Sequence, residues 1–68
     1  MRTIRVFKTK SNIEAMGIEN MLHENSIPCQ IINKMASSHG NAFGNIEIFV
    51  EEMYNLKAKR LISEYFEN

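Results

Sequence analysis

Three stretches of alternating or near-alternating apolar and polar residues are separated by two stretches with a longer period, and this pattern lays out the chain. Arg2-Thr-Ile-Arg-Val-Phe-Lys8 puts Ile4 and Val6 on one side and Thr3, Arg5 and Phe7 on the other. That period of two marks a half-buried strand. After the turn Thr9-Lys-Ser11, the period lengthens. Ala15, Ile18 and Leu22 recur at helical spacing, with Met21 at the edge of the same face, Met16 and His23 on its flank, and Glu19, Asn20 and Glu24 facing water. Ser11 stands three residues before Glu14, the capping-box spacing in which each side chain satisfies an orphan N–H of the other.

Gly17 sits inside this helix, where it costs about 1 kcal/mol relative to alanine, and close packing against a neighbour is the expected reason. Asn25-Ser-Ile-Pro28 closes the helix, because proline bars its continuation. Pro28 then opens a second strand, Cys29-Gln-Ile-Ile-Asn33, at a position where a missing N–H is tolerated. Residues 34–45 hold two glycines, two serines and two asparagines without a sustained period and read as a long loop. Ile46-Glu-Ile-Phe-Val50 alternates again. Glu51 and Glu52 suit the positive end of a following helix, whose stripe is Tyr54, Ala58, Leu61, Ile62 and Tyr65. Leu56 falls opposite that stripe, where a monomer gives it nothing to pack on.

The order strand–helix–strand–strand–helix over residues 1–68 predicts a single α+β domain. The first two strands, joined through a helix, are expected to be parallel, with the third between them in the order 1-3-2. Both helices then lie on one face, giving a ferredoxin-like βαββα sandwich that lacks its fourth strand. The expected core is Ile4, Val6, Ala15, Ile18, Leu22, Ile31, Ile46, Ile48, Ala58, Leu61 and Ile62, with Tyr65 at its border.

The run Glu14-Ala15, Ile18, Met21-Leu22 and Ser26-Ile27-Pro28 resembles a bacterial family of signal-transducing proteins, a domain of unknown function. The resemblance covers essentially the whole chain and rests on structural rather than chemical motifs. Two departures stand out: Ser26 where a glycine is usual, and no proline after Val50. The resemblance implies a ferredoxin-like domain with a regulatory role, by analogy with PII-type nitrogen-regulatory folds.

Size and charge narrow the functions. A chain of 68 residues buries only about 60% of its unfolded surface and is marginal without help. One cysteine excludes an internal disulfide and points to a reducing, cytoplasmic setting. Cys29, His23 and His39 lack the spacing of a metal site, so no metal or cofactor is expected and oligomerisation becomes the leading aid to stability. Eight basic residues balance eight acidic ones, without the basic surplus usual in nucleic-acid binders. The start of the chain has no apolar run or cleavage site of a signal peptide, and no window reads as a membrane span.

Catalysis has little to stand on. Ser37 and Ser38 adjoin His39, but neighbours on a polar loop rarely hold the geometry of a nucleophile and its base. Cys29 is expected to behave as a small buried hydrophobe and His23 as a solvated helix residue. A non-enzymatic regulatory or interaction module is therefore expected, binding a protein or small ligand through the loop residues Ser37, Ser38, His39, Gly40, Asn41 and Phe43. The sheet face away from the helices is expected to carry Arg5, Phe7, Ile32, Glu47 and Phe49 and to form a homodimer. The alternatives for that dimer are face-to-face packing, the preferred form, and pairing of the first strands. A rival reading uses the same face as a stacking platform for single-stranded nucleic acid, with Phe7 and Phe49 on adjacent strands.

Overall fold

A computed structural model of the chain describes residues 2–33 and 45–67. Strand β1 (Thr3–Thr9) leads into helix α1 (Asn12–Glu24), then strands β2 (Cys29–Asn33) and β3 (Ile46–Glu51), and after a single 3-10 turn (Glu52–Tyr54), helix α2 (Asn55–Phe66). The sheet has the order β1-β3-β2, and both outer strands pair antiparallel to β3. The α+β class, the element order and the sheet order follow the expectation. Ile46, Ile48 and Val50 of β3 are buried in one cluster with Ala15, Ile18 and Leu22 of α1 and Ala58 and Ile62 of α2, so both helices cover the same face of the sheet.

The pairing of β1 departs from strict alternation. Arg5 lies opposite Phe49, yet Phe7 lies opposite Ile48, so Val6 is an extra residue in a β-bulge. Residues directly opposite each other share a face. Phe7 is therefore on the helix side with Ile48, not on the open face with Phe49 as the sequence pattern predicted. The gain is burial: Val6 and Phe7 both pack against the core, and the Phe7 ring stacks on Phe66 of α2 with centroids 5.6 Å apart. Straight alternation would have left a phenylalanine outside to keep the ladder regular.

Helix α1 starts by a relay rather than a closed capping box. Ser11 Oγ accepts from the Glu14 N–H at 3.1 Å, as expected. The Glu14 carboxylate does not reach back to Ser11; it accepts from the Thr9 hydroxyl at 2.6 Å, and Thr9 Oγ1 accepts from the Ser11 N–H at 3.0 Å. The strand end and the helix start are thus tied through one threonine. Gly17 faces α2, where an added Cβ would run into the Tyr65 phenol, so the close-packing reading of this glycine holds.

The helix ends in a Schellman motif. Ser26 N–H donates to the His23 carbonyl at 3.0 Å and Ile27 N–H to the Leu22 carbonyl at 2.9 Å, while Ser26 takes the left-handed conformation at φ 61°. This geometry folds Ile27 back onto the core, where it is 1% exposed. A left-handed backbone costs a non-glycine residue about 1–2 kcal/mol, partly offset by the lower unfolded-state entropy of serine. Ser26→Gly is accordingly expected to stabilise the domain by up to about 1 kcal/mol, read as a rise in the denaturation midpoint; an unchanged or lower midpoint would refute it.

The core otherwise follows the expected stripes, with Ile27 and Val50 added to it. Val6, Ile31 and Leu61 are packed against it while half-buried, whereas Ile4, expected in the core, is half-buried and not among its members. On α2, Tyr65 is 42% exposed at the border and Leu56, opposite the stripe, is 82% exposed.

Candidate functional site

The loop residues Ser37, Ser38, His39, Gly40, Asn41 and Phe43 lie outside the described residues. Two other places gather functional groups: the sheet face opposite the helices and the junction of α1 with β2.

Register alone builds the open face. Arg5, Phe49 and Gln30 form one row across the three strands, Lys8, Glu47 and Ile32 a second, and Thr3 with Glu51 a third on β1 and β3. No other described element covers this face. Four of the five residues expected there, Arg5, Ile32, Glu47 and Phe49, are present; Phe7 is replaced by Lys8 because of the bulge. Arg5 donates from Nη1 to Glu47 Oε2 at 3.1 Å, and Glu47 is only 6% exposed. Basic residues line the β1 side and acidic residues the β3 strip. Ile32 is 38% exposed and Phe49 is half-buried. With Phe7 on the other side, the described residues of the face carry the Phe49 ring without the Phe7 ring that the nucleic-acid reading places beside it.

The second place brings together residues that the sequence spacing had set aside. Glu19 and His23 are four apart on α1 and so share one helix face. The turn through Ser26 and Pro28 returns the chain so that Cys29, the first residue of β2, arrives beside them. The ligand atoms of Glu19, His23 and Cys29 all lie within 4.8 Å of one another, and Cys29 Sγ is 3.7 Å from His23 Nε2. Glu19 and Cys29 are half-buried and His23 is exposed. Burial pushes the Cys29 thiol above its ordinary value, and the neighbouring Glu19 carboxylate pushes the same way.

The sequence reading places Glu19 and His23 on the solvated side of the helix, which exposed His23 fits, and Cys29 as a small buried hydrophobe; it does not bring the three together. The signal that would have found the cluster was present: two ligand-type residues at i and i+4 on a helix, and a cysteine six positions later where the next strand begins. A depression of about 340 Å³ bordered by His23, Ser26, Ile27 and Pro28 opens beside the cluster. Another of about 180 Å³, between Cys29, Gln30, Phe49 and Thr3, lies at the end of the sheet. Among the described residues, no helix is long and apolar enough to cross a membrane. No protein-family profile, curated protein or solved structure matches the chain.

Proposed function

We propose that the chain is a non-enzymatic interaction module of the ferredoxin-like type that works by associating with a second copy of itself through the open face of the sheet. The observation that carries this reading is the charge layout of the face: Arg5 and Lys8 on β1 and Glu51 on β3, with Phe49 between Arg5 and Gln30, while Glu47 is buried against Arg5 of its own chain. An interface around a two-fold axis places the same patch against itself. A strip of one sign beside a strip of the other is self-complementary under that rotation, and an overall charge of zero removes long-range repulsion between copies. Arginine carries five N–H donors, so Arg5 retains donors for a partner's carboxylate beyond the one given to Glu47. A polar rim around one aromatic anchor is the composition of a non-obligate interface rather than a permanent one.

The resemblance to bacterial signal-transducing proteins agrees with a regulatory role in the cytoplasm, and a single cysteine agrees with a reducing compartment. Size-exclusion chromatography with light scattering, run with a chelator at high micromolar concentration, tests the reading. The wild type is expected at about twice the 7.9 kDa chain mass and Phe49→Glu at the mass of one chain. A wild type that stays monomeric there overturns it.

A further inference from the structure

We propose that Glu19, His23 and Cys29 form a binding site for a borderline-soft divalent metal ion of the zinc class. The inference goes beyond the self-association reading and does not rest on it. One carboxylate, one imidazole and one thiol are all zinc ligands, and their donor atoms already lie within 4.8 Å of one another. Metal–ligand bonds of about 2.0–2.3 Å set at tetrahedral angles put neighbouring donors about 3.3–3.8 Å apart. The 3.7 Å between Cys29 Sγ and His23 Nε2 is such an edge before any ion arrives. The Glu19 carboxylate completes the third corner by moving about 1 Å, within the rotamer freedom of a half-buried side chain.

Charge and softness select the ion. Binding releases the thiol proton to solvent, giving one thiolate, one carboxylate and a neutral imidazole, whose two negative charges a divalent cation cancels. The thiolate and imidazole disfavour magnesium and calcium, which take oxygen ligands. The scaffold is prepared for the task. Glu19 and His23 project from one face of a regular helix, and Cys29 is held by the Schellman turn and Pro28 at the start of a paired strand. Three protein ligands leave a fourth position, and exposed His23 puts it on the solvent side. A structural zinc site is closed by four protein ligands, and this one is not. Because the hydrophobic core is complete without the ion, the site suits reversible binding, with the metal clipping the C-terminal half of α1 to β2.

Cobalt titration of the reduced, metal-free protein tests the site. One equivalent of Co2+ is expected to give sulfur-to-cobalt charge-transfer absorption and the visible bands of a tetrahedral ion, and Zn2+ is expected to displace it. Cys29→Ser is expected to abolish the charge-transfer band, and His23→Gln, which removes one of three direct ligands, to weaken Co2+ binding by more than the roughly 10- to 100-fold that loss of an outer-shell partner costs, with an unchanged far-ultraviolet circular dichroism spectrum. His23 is exposed, so its variant keeps the test decisive even if Cys29→Ser fails to fold. Absence of the charge-transfer band in the wild type, or wild-type affinity in His23→Gln, would overturn the proposal. Neither readout depends on whether the chain is a monomer or a dimer.

Discussion

Replacing Leu22 by alanine is expected to lower the unfolding free energy by about 2–5 kcal/mol, the range for emptying a buried leucine site. Leu22 is fully buried in the cluster that α1 shares with β3 and α2. It also stands where the helix stops: its carbonyl accepts the Ile27 N–H that brings Ile27 into the same core. A cavity there is bounded by a hydrogen-bonded turn on one side and a central strand on the other, so little can collapse into it. A domain of this length holds only about 3–10 kcal/mol of stability in total, making the loss a large share of it. Urea denaturation checks the value; the midpoint should fall with the slope unchanged. A change under about 1 kcal/mol would show that the helix presents another face to the sheet.

Phe7→Ala is expected to cost about 2 kcal/mol, less than a fully buried phenylalanine because the ring is half-buried. The stacked pair with Phe66 is expected to show a coupling of about 0.5–1.5 kcal/mol in a double-mutant cycle with Phe66→Ala. The same substitution should leave the oligomeric state untouched, since Phe7 is on the helix side of the sheet. This pairing of results separates the two possible registers of β1. A stable Phe7→Ala variant with altered association would place the ring on the open face and remove the bulge.

The contrast between Phe7 and Phe49 shows how far the sequence carried. Helical and alternating periods located the three strands and two α-helices, the sheet order and most of the core, because burial of one face imposes those periods directly; they missed the 3-10 turn Glu52–Tyr54, so α2 begins at Asn55, past Tyr54 and the two glutamates expected at its start. The bulge at Val6 left no mark that alternation could register: Ile4, Val6 and Phe7 fit a straight strand equally well until Phe66, far along the chain in α2, supplies a partner for the ring. Ile27 escaped for a related reason. It follows a helix stop and precedes a proline, and only the left-handed turn at Ser26 directs it inward. The Glu19–His23–Cys29 cluster depends on that same turn, so its members looked unrelated as long as α1 and β2 were treated separately. Of the candidate face, the register fixed four residues out of the five expected.

The bulge has one more consequence, for behaviour in a crowded solution. β1 is an outer strand of the sheet, and an outer strand that is long and flat is a template on which further chains stack edge to edge into fibres. An extra residue in the middle of β1 locally bends the strand and raises its twist, so its free N–H and C=O groups do not present one continuous ladder. On the opposite edge, Pro28 sits immediately before β2 and has no N–H to extend that ladder with. Growth by strand addition is discouraged along β1 by the bulge and, on the other edge, just before the start of β2 by the proline.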